Sequence, residues 1–150
     1  MTAVKYVHTN ILSKEWKNLA QFYIDVFGCK PIYPERDLKG ECIDKMTNIE
    51  HVHISGIHLQ LPGYQDGPTL EIFSYNKPLE RSAKMQINEV GFTHIAFRVE
   101  NVEKYVNKVL EYGGNFYGEI TKTEIKNVGK LTAVYMRDPE NNIVEIQSWK

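Results

Sequence analysis

The sequence predicts an α+β fold of two βαβββ modules whose curled mixed sheets form a half-barrel with the helices outside. Three observations predict it. The chain repeats itself: His8 falls on His94, Ile11 on Phe97, Leu19 on Tyr105, Ile24 on Leu110 and Gly28 on Gly114, all at an offset of 86 (94 − 8). Within each copy the apolar residues recur first at period two and then at three and four positions, the signatures of a strand followed by an amphipathic helix. Proline, glycine and asparagine then punctuate three further short runs rich in β-forming residues.

Taken in order, Tyr6 to Leu12 reads as a strand and Lys14 to Phe27 as a helix, with Ser13 as its N-cap and Gly28 at its left-handed end. Strands near Pro31 to Tyr33, His51 to Leu61 and Thr69 to Tyr75 follow. The second copy runs as a strand from Phe92 to Val99, a helix from Val102 to Tyr112 between Asn101 and Gly113, and strands near Asn115 to Glu124, Leu131 to Arg137 and Ile143 to Trp149. The closing strands align at 145 − 71 = 74, so the first copy carries about 12 extra residues (86 − 74). We place them around Asp37 to Glu50, as a lid or a short added helix. The chain is expected to be one domain over 1–150, with module one at about 1–75, a linker at about 76–90 and module two at about 91–150.

Composition narrows the classes. At 150 residues and 42% hydrophobic content the chain can bury a core. Eighteen basic against nineteen acidic residues leave a formal charge of −1, which excludes the basic footprint of a nucleic-acid binder. Without a basic amphipathic run, an apolar span or a signal peptide, no membrane partner and a cytoplasmic location are expected. Cys29 and Cys42 are too few and too irregularly spaced for a disulfide framework or a thiolate zinc site, and Cys29 is expected in the core.

Strand parity selects the chemistry. Side chains alternate faces, so His8, Asn10 and Leu12 share one face of the first strand. Ile95 and Phe97 should lie under the second helix, which leaves His94, Ala96 and Arg98 facing away from it. The same count turns Glu71, Phe73 and Tyr75, and Glu145, Gln147 and Trp149, away from the helices. His8, Glu71, His94 and Glu145 are therefore the candidate ligands of a divalent metal site made by a duplicated fold. His51, His53 and His58 read as a solvated or cavity-rim strand face. Phe73, Tyr75 and Trp149 either line a substrate cavity or fill core, and Arg36 and Arg98 either hold an anionic substrate group or make surface ion pairs.

Two motifs carry a resemblance. Phe22-Tyr23-Ile24-Asp25-Val26-Phe27-Gly28 and Arg137-Asp138-Pro139-Glu140-Asn141-Asn142-Ile143-Val144-Glu145, with a His on each first strand and a Glu on each last one, resemble the vicinal oxygen chelate (glyoxalase, bleomycin-resistance and dioxygenase) superfamily. Asn141 stands where that pattern has a turn glycine, and asparagine tolerates positive φ. The His/Glu/His/Glu order resembles the glyoxalase I branch. The resemblance implies a lyase or isomerase that uses one divalent ion (Ni, Zn, Co or Mn) for proton transfer next to a carbonyl of a small molecule, with Glu71 or Glu145 as the base. A homodimer is expected. The rival readings are an Fe(II) extradiol-type dioxygenase, which needs two histidines and one carboxylate, and a metal-free drug-binding protein of the same fold.

Overall fold

The computed structural model describes residues 4–81 and 84–150, so that residues 82 and 83 of the expected linker lie outside the described residues. Two compact units divide it, Met1–Glu80 and Arg81–Lys150. The described residues form three helices and nine strands in two mixed sheets, each open, so the expected α+β architecture stands.

The first unit contains β1 (His8–Leu12), α1 (Trp16–Phe27), β2 (Lys30–Lys39), α2 (Glu41–Thr47), β3 (His53–Gln60) and β4 (Thr69–Tyr75). Its sheet runs β1-β4-β3-β2, with β1 parallel to β4 and the other pairs antiparallel. The apolar stripe of α1 (Leu19, Ala20, Phe22, Tyr23, Val26 and Phe27) is buried, as are Ile57, Leu59, Leu70 and Ile72 on the facing strands. Each such large side chain contributes roughly 1.5–3 kcal/mol by leaving water. Gly28, at φ 73°, ends the helix in the left-handed region, and its N–H donates to Ile24 O at 3.0 Å. Cys29 is buried just beyond, and burial pushes its thiol up to about 12.

Two local features differ from the sequence reading, and a third agrees with it. Ser13 does not cap α1: it closes the β1–β4 ladder through Ser13 N–H to Phe73 O, 2.7 Å, and the Ser74 hydroxyl serves the helix start instead. Ser74 Oγ accepts from Trp16 N–H at 3.1 Å and donates to Ser13 O at 2.8 Å. Second, β2 continues to Lys39 after a register shift between Ile32 and Arg36, where Pro34 has no N–H to offer the ladder. The extra residues of the first copy form α2, the short added helix expected between Asp37 and Glu50. Asp44 ties down its exit by accepting from the His51 and Val52 N–H groups, at 2.8 and 3.0 Å. Leu38, Ile43 and Ile49 thereby pack on Val52, Ile54 and Phe73.

The second unit contains β5 (His94–Arg98), α3 (Val102–Glu111), β6 (Asn115–Phe116), β7 (Thr121–Ile125), β8 (Gly129–Arg137) and β9 (Ile143–Trp149). Its sheet runs β5-β9-β8-β6 with β7 also on β8, and β5 is parallel to β9. The Asn101 side chain caps α3 as expected, accepting from Lys104 N–H at 2.8 Å, and Val102, Val106 and Val109 are buried against the sheet. The single strand expected over 115–124 is two, because the chain turns at Tyr117 and Gly118, whose N–H groups both reach Tyr135 O at 3.1 Å.

The charged residues of the Arg137–Glu145 motif build a turn. Asp138, fully buried, accepts from the N–H groups of Glu140 and Asn142, both at 2.9 Å, and from Asn142 Nδ2 at 2.8 Å. Arg137, also buried, donates to Asn141 O at 3.0 Å and Met85 O at 2.8 Å, and lies over the Tyr117 ring. Asn141 takes φ 68°, as its place in the turn requires. Asp138→Ala strands three part-buried donors and empties a buried polar site, so urea denaturation should show a loss of about 2 kcal/mol. A loss below ~0.5 kcal/mol would contradict this account of the turn.

Candidate metal centre

In the first unit, Glu71 sits between two strands. Parallel register sets Asn10 of β1 opposite Glu71, and antiparallel register sets His58 of β3 opposite it on the other side. Residues paired across a ladder point to one face, and His8, two residues before Asn10, joins them. Glu71 Oε2 is 3.7 Å from His8 Nε2 and 3.0 Å from His58 Nε2, while Glu71 Oε1 accepts from Asn10 Nδ2 at 2.8 Å. The other imidazole nitrogen of His58 is held by Thr69 Oγ1 at 3.0 Å, which aims Nε2 at the carboxylate. Burial lowers the proton affinity of His58; the Glu71 charge opposes this, and Arg36 and His8 add to it. A neutral imidazole is the form that binds metal.

These residues fit a divalent ion. Ligand atoms of His8, His58 and Glu71 all lie within 4.8 Å of one another. Bonds of ~2.1 Å in a tetrahedral set place ligand atoms ~3.4 Å apart, between the two His–Glu separations.

The second unit repeats the scheme with altered neighbours. Ala96 and Tyr135 oppose Glu145, at the places that Asn10 and His58 hold in the first unit. His94 Nε2 is 3.2 Å from Glu145 Oε2, Thr93 Oγ1 holds His94 Nδ1 at 2.8 Å, and Gln147 Nε2 donates to Glu145 Oε1 at 3.2 Å. The Tyr135 ring meets the His94 ring edge-on, centroids 5.1 Å apart. Burial, then the Glu145 charge, raise the proton affinity of its hydroxyl.

Each sequence-derived His is thus beside its own repeat's Glu. His58, read as a rim residue, is drawn in with them, and Tyr135 was missed. For Tyr135 a signal existed: the Asp138–Asn142 turn centres its hairpin on residue 140, five residues from both Tyr135 and Glu145. In the first unit the loop over 61–68 left the register open.

The remaining candidates are placed as follows. Arg36 opposes Gly56 on the face of His58, and its guanidinium donates to Pro34 O. Phe73 is buried with Val52 and Ile54, Tyr75 packs on that cluster, and the Phe73 ring lies 5.7 Å from that of His58. Arg98 is exposed opposite Gln147 and lines a cavity of about 220 Å³ with Glu100, Trp149 and Lys150. The Trp149 indole N–H donates to Gln147 Oε1.

The family model of the glyoxalase/bleomycin resistance protein/dioxygenase superfamily matches residues 5–146. The chain belongs to that superfamily. A glyoxalase family protein from Bacillus cereus is similar in structure, with a TM-score of 0.77 at 15% identity over 99% of this chain and 95% of that one. The fosfomycin resistance protein FosX from Listeria monocytogenes gives 0.54 at 14% over 100% and 93%, and TioX from Micromonospora 0.55 at 12% over 98% and 100%. At such identities the likeness is one of fold. Comparison with curated proteins gave no match. No described helix of this superfamily member is long and apolar enough to cross a membrane.

One packing detail sets the wall of the first-unit site. A Cβ on Gly56 would lie 2.2 Å from the Phe73 ring and 2.3 Å from Ile72 O, so a bare backbone is what lets Phe73 lie across β3 beside His58. Gly56→Ala should therefore cost roughly 1–3 kcal/mol in denaturant unfolding through overpacking. A neutral substitution would contradict the close approach.

Proposed function

We propose that this superfamily member is a divalent-metal-dependent, glyoxalase-like lyase or isomerase that moves a proton next to a carbonyl of a small-molecule substrate. The observation that carries the reading is Glu71 within reach of two imidazoles, together with the matching His94–Glu145 pair. In this reading His8, Glu71, His94 and Glu145 hold the ion, which is Ni, Zn, Co or Mn. When bound, such an ion polarises a carbonyl and stabilises the charge left by loss of the adjacent proton. Asn10 and Gln147 each tie one carboxylate oxygen and so keep the other aimed at its histidine. One of the two glutamates takes the proton. Arg98 and Trp149 receive the far end of the substrate, Arg36 is the alternative anchor, and the working form is a homodimer.

One observation favours a second reading. His8, His58 and Glu71 form a two-histidine, one-carboxylate set, the donor pattern of an Fe(II) dioxygenase of extradiol type. Oxygen uptake with a catechol by iron-loaded protein would select it.

Chelated protein reloaded with metal should hold about one equivalent per chain and melt at higher temperature by ligand linkage. With metal bound it should exchange the activated proton of a hydroxy-ketone or thiohemiacetal with heavy water. Of Glu71→Gln and Glu145→Gln, the one that removes the base should lower turnover by ~10²-fold or more. Reloaded protein without metal, or full activity in both variants, would sink the proposal.

Substrate charge is tested separately. Arg98 shares the face of His94 four residues along, so their Cα atoms lie roughly 13 Å apart, a span suited to a substrate with an anionic tail. Arg98→Met should raise KM far more than it lowers kcat, the sign of lost uniform binding. An unchanged KM would transfer the role to Arg36.

A further inference from the structure

The helix-covered face of the first sheet turns polar at one end. Along β3 it passes from Leu59 and Ile57 to Ser55 and His53, and along β4 from Leu70 and Ile72 to Ser74. These ends lie where α1 begins, and they border a cavity of about 340 Å³ whose lining includes Lys14, Trp16, Lys17, His53, Ser55 and Ser74. Ser55 pairs with Ser74 across the β3–β4 ladder, so both side chains point to the α1 face, opposite to the one that carries His58 and Glu71. The cavity shares no residue with the metal centre. We infer that it is a second ligand site, which takes a small phosphate ester bearing a planar ring. Such a site is independent of the chemistry proposed for the metal centre.

Position, charge and an aromatic surface together point to that ligand. The cavity lies outside the carboxyl ends of the parallel strands β1 and β4, the crevice in which open sheets with crossover helices receive ligands. Its volume is at the lower end of the roughly 300–1,000 Å³ of small-molecule sites, which limits the occupant to about the size of a mononucleotide. Among the charged groups of its wall Lys14 and Lys17 outnumber Glu15. Lys14 Nζ is 3.0 Å from Glu80 Oε1 and Lys17 Nζ 3.9 Å from Glu35 Oε2, but both pairs stand in solvent, where such contacts contribute little and an anion shared by two ammonium groups can displace them. An ammonium is a point charge that serves phosphate oxygens in several directions, whereas a planar carboxylate suits the arginine fork, and the described lining has no arginine. Trp16 is half-buried, and Lys17 Nζ lies 5.4 Å from its ring centre, so that stacking surface and charge adjoin and can meet the ring and the phosphate of one molecule. Ser74 Oγ is engaged by Trp16 N–H and Ser13 O, which leaves the start of the helix already capped. The Ser55 hydroxyl has no hydrogen-bond partner among the described residues and can donate to the ligand, while Asp37 holds the His53 ring at the wall.

The test is proton–nitrogen correlation NMR of the full-length, chelator-treated chain titrated with adenosine monophosphate, with adenosine and inorganic phosphate as separate arms. The nucleotide should shift the Trp16 indole N–H and the Ser55 and His53 amides saturably, with Kd below ~1 mM, and leave the His58 and Glu71 amides in place. Adenosine and inorganic phosphate should each bind at least ~10-fold more weakly, since each offers only one of the two contacts. Lys14→Met/Lys17→Met should weaken nucleotide binding by more than ~10-fold, and Trp16→Leu by roughly 5- to 100-fold, the range of a lost stacking platform. The lysine variant alters exposed side chains alone, so it decides the case if melting shows that Trp16→Leu fails to fold. No saturable shift at these residues, shifts confined to His58 and Glu71, or an unchanged Kd in the lysine variant would overturn the site. Inorganic phosphate that binds as tightly as the nucleotide would equally overturn it, because the cavity would then hold an anion alone.

Discussion

The parallel pairing of the first strand with the last in each unit is the constraint on which the candidate centre depends. Chain order alone separates His8 from Glu71 by most of a module, and a helix must cross between β1 and β4 before they can lie side by side in parallel. Once they do, the ladder sets Asn10 against Glu71 and brings His8 to the same face. The helix that makes the crossing covers the opposite face, where Ile57, Leu59, Leu70 and Ile72 are buried. Polar ligand-type groups and apolar core are thus sorted by strand alternation rather than by separate local devices. The second unit reaches the same arrangement with β5, α3 and β9.

Around each carboxylate the polar contacts are divided. An amide side chain takes one glutamate oxygen, a histidine faces the other, and a threonine hydroxyl holds the far nitrogen of His58 or His94. Such partners fix rotamers and tautomers, which is what separates a preorganised site from polar residues that merely lie near one another. The Asp138 turn has the same purpose at a distance: it starts β9 in the register that sets Tyr135 and Ala96 against Glu145. The repeats share a frame but not its contents: the His58 and Tyr135 positions present an imidazole in one unit and a phenol in the other.

Much of this was legible in the sequence. Repetition at a fixed offset exposed the two modules, and strand parity turned His8, Glu71, His94 and Glu145 to the faces away from the helices, where they lie. What escaped was whatever depended on register across a loop of unknown conformation. His58 meets Glu71 only because the chain over 61–68 folds back so that Gln60 pairs with Thr69. Ser74 displaced Ser13 at the helix start for the same reason: the cap is a tertiary contact from β4, and local propensity favours the serine nearer in sequence. The length of β2 was hidden by Pro34, whose missing N–H reads as a strand end but is accommodated at an irregularity.

The central claim is that Glu71 and its histidine neighbours hold a divalent ion. The measurement that addresses it most directly is an anomalous-difference map from crystals of zinc-loaded protein, with data collected on both sides of the zinc edge. The account predicts one dominant peak ~2.0–2.2 Å from a Glu71 carboxylate oxygen and from His8 Nε2. Zinc bound only at surface carboxylates, with the imidazole of His8 left free, would contradict it.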